Sequence, residues 1–72
     1  MKAFNSEEAK QGKPVCTISG HPVRVICYDR KDSRFPIVAL ISFGGQESVE
    51  IYTEQGRLIP SQPTDIDLAM YE

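Results

Sequence analysis

The run Pro36-Ile37-Val38-Ala39-Leu40-Ile41-Ser42-Phe43-Gly44-Gly45-Gln46-Glu47-Ser48-Val49-Glu50-Ile51-Tyr52-Thr53 decides how this chain folds. Two β-rich stretches flank a Gly-Gly pair, the signature of a hairpin with a tight turn. Turning at Gly44-Gly45 pairs Leu40 with Val49 and Val38 with Ile51, which makes one apolar face. The other face of the first strand carries Ile37, Ala39, Ile41 and Phe43, so that strand is apolar on both sides and something must cover it. The cover is the N-terminal segment, the C-terminal segment or a partner. Ile37, Ala39, Ile41, Phe43 and Tyr52 are therefore the candidate partner interface.

Upstream, Pro14-Val15-Cys16-Thr17-Ile18-Ser19-Gly20-His21-Pro22-Val23-Arg24-Val25-Ile26-Cys27-Tyr28 reads as another hairpin, with a two-residue turn at Ser19-Gly20. That turn pairs Cys16 with Val23 and Thr17 with Pro22. One face then holds Cys16, Ile18, Val23, Val25 and Cys27, and the other Val15, Thr17, Pro22, Arg24, Ile26 and Tyr28. The polar connection Asp29 to Phe35 is longer than a usual hairpin loop. Downstream, Thr53-Glu54-Gln55-Gly56-Arg57 reads as a three-residue turn with Gly56 left-handed, leading into a short strand, Arg57 to Ile59. Residues 60–64 form a loop, and the alternation in Asp65-Ile66-Asp67-Leu68-Ala69-Met70 favours a last strand. At the other end Asn5 can cap a helix, with Glu8 three residues on, Phe4 as a staple onto Ala9, and Gly12 as the stop.

The expected fold is mainly β: a single small antiparallel meander of five or six strands, curled into a partly open SH3-like barrel, with a short N-terminal helix. With 72 residues there is room for one domain: lead-in and helix over 1–13, two hairpins and a short strand over 14–59, loop and last strand over 60–72. The 40% apolar content supplies one core, and the 25% charged fraction argues against disorder. No stretch resembles a signal-peptide core or a membrane span. Two cysteines are too few to staple a secreted scaffold, so the expectation is a cytoplasmic protein with reduced thiols and no membrane partner.

Several chemistries are excluded on spacing. Cys16, His21 and Cys27 share no metal, because the hairpin register sets the two cysteines roughly 13 Å apart along the strands. A thiol enzyme using Cys16 with His21 is the third-ranked reading, since the two are only diagonal neighbours. The carboxylate pairs Glu47 with Glu50, Asp65 with Asp67 and Asp29 with Asp32 read as ordinary turn and edge charges. No catalytic residue, cofactor or metal is expected, and the chain reads as no enzyme. The net charge of −2 hides an asymmetry: residues 1–36 carry seven basic and four acidic side chains, residues 37–72 one and six. Arg24, Arg30, Lys31 and Arg34, with Tyr28 expected on the same face as Arg24, are the candidate nucleic-acid or anion contacts, in the way small barrels bind phosphates and stacked bases. The bland alternative is a solvated loop. A further use of the asymmetry is self-association.

Pro14, Val15, Thr17, Gly20, Arg24, Ile26, Asp29 and Lys31, then Pro36 to Leu40, then Tyr52, Thr53, Gly56, Arg57, Asp67 and Leu68, form an ordered pattern. It resembles a group of short uncharacterised proteins encoded by bacteriophages, prophages and gut anaerobes. The likeness covers nearly the whole chain, and Ser19-Gly20-His21 departs from the group's more usual Asp-Gly-Arg turn. It implies a phage or mobile-element accessory protein and carries no activity or site residue. The resulting expectation is a non-enzymatic interaction module that binds a protein partner or itself, with a small nucleic-acid-binding barrel as the alternative.

Overall fold

Gly44 and Gly45 reverse the chain so that two strands pair along their whole length, from Ile37 opposite Tyr52 to Phe43 opposite Gln46. This is the expected hairpin in the expected register. The computed structural model describes residues 2–31 and 34–71, so Asp32 of the Asp29–Asp32 pair and Ser33 of its loop lie outside the described residues. Its elements are β1 (Lys2–Ala3), α1 (Ser6–Lys10), β2 (Val15–Thr17), β3 (Pro22–Cys27), β4 (Ile37–Phe43), β5 (Gln46–Tyr52) and β6 (Leu68–Met70). The six strands form one antiparallel sheet in the order β1-β6-β2-β3-β4-β5. Strands β2 to β5 are a meander, and β6 returns to lie between β1 and β2. The sheet curls until the Tyr52 hydroxyl, at the end of β5, donates to the Ile66 carbonyl ahead of β6 at 2.6 Å. The outermost strands do not pair with each other, so the barrel-like sheet stays open.

α1 forms as its sequence requires. The Asn5 side chain accepts from the Glu8 N–H at 3.1 Å, and the helix closes at Gln11 and Gly12. The Glu8 carboxylate turns to Lys2 instead of back to the cap, at 3.1 Å. Ala9 enters the core, and Phe4 packs against it.

Three expectations fail for identifiable reasons. The first hairpin has a three-residue turn, with Val15 opposite Val23 and Cys16 opposite Pro22. Gly20 takes φ +96° and donates to the Thr17 carbonyl at 2.9 Å, while the Thr17 N–H donates to His21. This one-residue shift moves Val15 and Thr17 to the side of Val23, and Cys16 to the side of Pro22. Pro22 still falls at a non-hydrogen-bonded pair, next to the bonded Thr17 and His21. Second, the β3–β4 register slips between Val25 and Cys27, where one residue is in excess. This bulge leaves Ile26 exposed and turns Tyr28 inward against the core. Third, no strand forms over 57–59. The Arg57 N–H donates to Thr53 Oγ1 and the Leu58 N–H to Asp67 Oδ1, which leaves only an isolated bridge between Ile59 and Gln62. The last strand is confined to Leu68–Met70 because the Asp67 N–H turns back to the Thr64 carbonyl.

The core is the concave face: Val15, Ile37, Ala39, Ile41, Tyr52, Leu68 and Met70, closed by Ala9 and flanked by Phe4, Val23, Val25, Tyr28 and Leu58. Ile37, Ala39 and Ile41 are thus covered within the chain, by α1 and β6.

Candidate functional site

That covering corrects the expected partner interface. Ile37, Ala39, Ile41 and Tyr52 are buried, with no surface to offer, and only Phe43 of the five is exposed, at 37%. The apolar surface lies on the opposite, convex face. Cross-strand register puts Arg24 opposite Leu40 and Leu40 opposite Val49, with Val38 opposite Ile51 and Ile26 beside it at the bulge. Val49 is 64% exposed and Ile26 56%, while Val38, Leu40 and Ile51 are half-buried. Five aliphatic side chains on three adjacent strands therefore share one solvent-facing surface. Its border is an ion pair: Arg24 Nε and Nη2 each donate to a Glu47 carboxylate oxygen at 2.9 Å. The Arg24 hydrogen bond holds the Glu47 carboxyl below its usual range, and the same bond raises Arg24.

The basic set does not converge. Arg24 stands on the convex face in its pair with Glu47, whereas the bulge sends Tyr28 to the core side, beneath Lys10 Nζ at 5.5 Å from the ring centroid. The shared face expected for Arg24 and Tyr28 does not exist. Arg30 Nη1 donates to the Phe35 carbonyl at 3.2 Å, which ties it to its own loop, and Lys31 and Arg34 are exposed in that same loop.

Cys16 is fully buried, and burial pushes its thiol up, away from the thiolate a nucleophile needs. Cys27 is half-buried, and both are free. His21 packs edge-on against Phe43, ring centroids 4.7 Å apart, at the rim of the concave face. Among the described residues no group of three or more His, Cys, Asp or Glu side chains could hold a metal ion, and no helix is long and apolar enough to cross a membrane.

Three polar residues of the ordered sequence pattern, Thr17, Thr53 and Asp67, are architectural. Thr17 to His21 and Thr53 to Arg57 are two copies of one turn. In each, the glycine N–H donates to the threonine carbonyl at 2.9 Å. In each, the fifth residue's N–H donates to threonine Oγ1, at 3.0 and 3.1 Å. Segment 65–68 is gripped between them: Ile18 and Ser19 donate to the carbonyls of Asp67 and Asp65, and Leu68 donates to that of Gly56. Asp67, buried, accepts from the Leu58 N–H at 3.0 Å, Thr64 Oγ1 at 2.7 Å and the Thr64 N–H at 3.2 Å.

Comparison with protein-family models, with curated proteins and with solved structures returned no match.

The sequence contained a signal for the convex face. Val38, Leu40, Val49 and Ile51 share one surface with Arg24 and Glu47, and two charges on a strand face mark the solvent side.

Proposed function

We propose that this chain is a small non-enzymatic interaction module that binds a protein partner through the convex face of β3, β4 and β5. The exposed aliphatic surface of Ile26, Val38, Leu40, Val49 and Ile51 carries this reading, because such a contiguous surface on a small domain is a common mark of association. Its bordering charges already neutralise each other, so the partner's contribution is apolar surface and not a compensating charge. The resemblance to phage and prophage proteins suggests the setting, an accessory protein acting in the cytoplasm of a bacterial cell.

The test is light scattering over a concentration series together with capture from a bacterial lysate, comparing the wild type with Val49→Lys and Ile26→Ser. Both positions are exposed, so stability should change by no more than about 0.5 kcal/mol. Association or capture that either substitution abolishes supports the proposal. A wild-type monomer that captures nothing, or variants that capture equally well, would sink it.

A further inference from the structure

A cavity of about 200 Å³ opens beside α1, lined by Ser6, Lys10, Tyr28, Pro36, Ile37 and Glu54. Its construction follows from features already described. Ser6 and Lys10 are four residues apart and share one face of the capped helix. The β3 bulge turns Tyr28 inward to form a wall, Pro36 and Ile37 lie at the start of β4, and Glu54 is held by the Thr53–Arg57 turn.

Among the described residues these polar groups have few partners, and Lys10 and Glu54 are exposed to solvent. The Lys10 ammonium, among the described residues, meets the Tyr28 ring, 5.5 Å from its centroid. Among the described residues the Ser6 hydroxyl, the Tyr28 hydroxyl and the Glu54 carboxylate make no hydrogen bond or ion pair, and Lys10 and Glu54 do not pair with each other. Two oppositely charged residues, two hydroxyl-bearing residues and two apolar ones thus share one lining, the composition of a ligand site with a few polar groups to fix orientation. The size bounds the ligand: this volume lies below the roughly 300–1,000 Å³ of sites for drug-sized molecules.

Charge narrows the class further. An anion alone would face Glu54, a cation alone would face Lys10, and an apolar guest would strip water from four polar groups without replacing it. We propose that this cavity binds a small zwitterion of the α-amino-acid class. The ligand's carboxylate sits on Lys10 and Ser6, its ammonium on Glu54, and its side chain on Tyr28 and Pro36, which keep partial exposure beside the buried Ile37. This site is separate from the convex face and stands whether or not that face binds a partner.

The test uses the full chain, labelled with nitrogen-15, and follows its amide resonances during titration into the millimolar range. The probes are the twenty common amino acids, then leucinamide, which lacks the carboxylate, and 4-methylpentanoate, which lacks the ammonium. Saturable shifts at residues 6, 10, 28 and 54 are expected with an aliphatic amino acid such as leucine, and binding about tenfold weaker or worse with each single-charge analogue. Lys10→Met and Glu54→Gln, at exposed positions, should each weaken leucine about tenfold and leave distant resonances in place. No saturable shift with any amino acid, or equal response to the analogues and variants, overturns the proposal.

Discussion

The turns Thr17–His21 and Thr53–Arg57 share a sequence pattern, a hydrogen-bond set and a left-handed glycine, at φ +96° and +84°. They differ in what surrounds them. Around Gly20 there is open space, whereas a side chain added at Gly56 would meet the Phe4 ring at 2.9 Å. The first turn sits at a margin of the sheet. The second is a packing junction, with the N-terminal lead-in laid over it and the buried Asp67 alongside. Both turns hold segment 65–68 through backbone hydrogen bonds, but only the second also packs its glycine against the N-terminal lead-in.

Replacing each glycine with alanine breaks this comparison most directly. Gly20→Ala pays only the left-handed backbone penalty, a loss of roughly 1–2 kcal/mol. Gly56→Ala adds a clash with Phe4, for roughly 2–5 kcal/mol in total. Urea denaturation of both variants measures the gap, and equal losses would mean that the Phe4 contact has no energetic weight.

Asp67→Asn should cost about 2–3 kcal/mol, because an amide NH₂ must replace an oxygen that now faces a donor. The loss should be one-sided. Amide exchange should quicken at Leu58, whose N–H binds the carboxylate, and hold at Ile18, whose N–H binds the backbone carbonyl of the same residue. Equal acceleration at both would show that the two turns act as one unit.

The smallest effect concerns Tyr52, which leads into the second turn. Burial first, then the charges of Glu50 and Asp67, raise its phenol far above the ordinary range. Folding thus favours the protonated form, so this contribution is intact below the unfolded value of about 10 and is lost as pH climbs past it. Tyr52→Phe should cost about 1 kcal/mol at neutral pH, through the lost bond to Ile66, and should flatten the alkaline decline. An alkaline decline as steep as the wild type's would assign it to other groups.

How much of this was legible depends on where each signal resides. The α1 start was readable because Asn5, Glu8 and Gly12 act within one turn of one another. The β4–β5 register was readable because Gly44-Gly45 fixes it locally. The first hairpin departs by one residue from its expected register, although Thr-Ile-Ser-Gly-His has the same outline as Thr-Glu-Gln-Gly-Arg, because Ser-Gly by itself has the form of a complete two-residue turn. The bulge at Val25–Cys27 has no marker in Val-Ile-Cys, and β1 becomes a strand only because β6 arrives beside it. The misplaced interface has one cause. β4 is apolar on both faces, and only the docking of α1 and β6, far away in sequence, chooses which is inside.

The pairing of Lys2 with Met70 also bears on how the molecule reaches this state. Local encounters can build the meander from β2 to β5, but β1 has no partner until β6 is in place, and the core lacks Leu68 and Met70 until then. Closing so long a loop carries an entropic cost that the local hairpins do not bear, so the docking of β6 and β1 is expected to follow them. Until it occurs, β2 presents an unpaired edge, and that interval is when the chain is most open to pairing with the wrong strand.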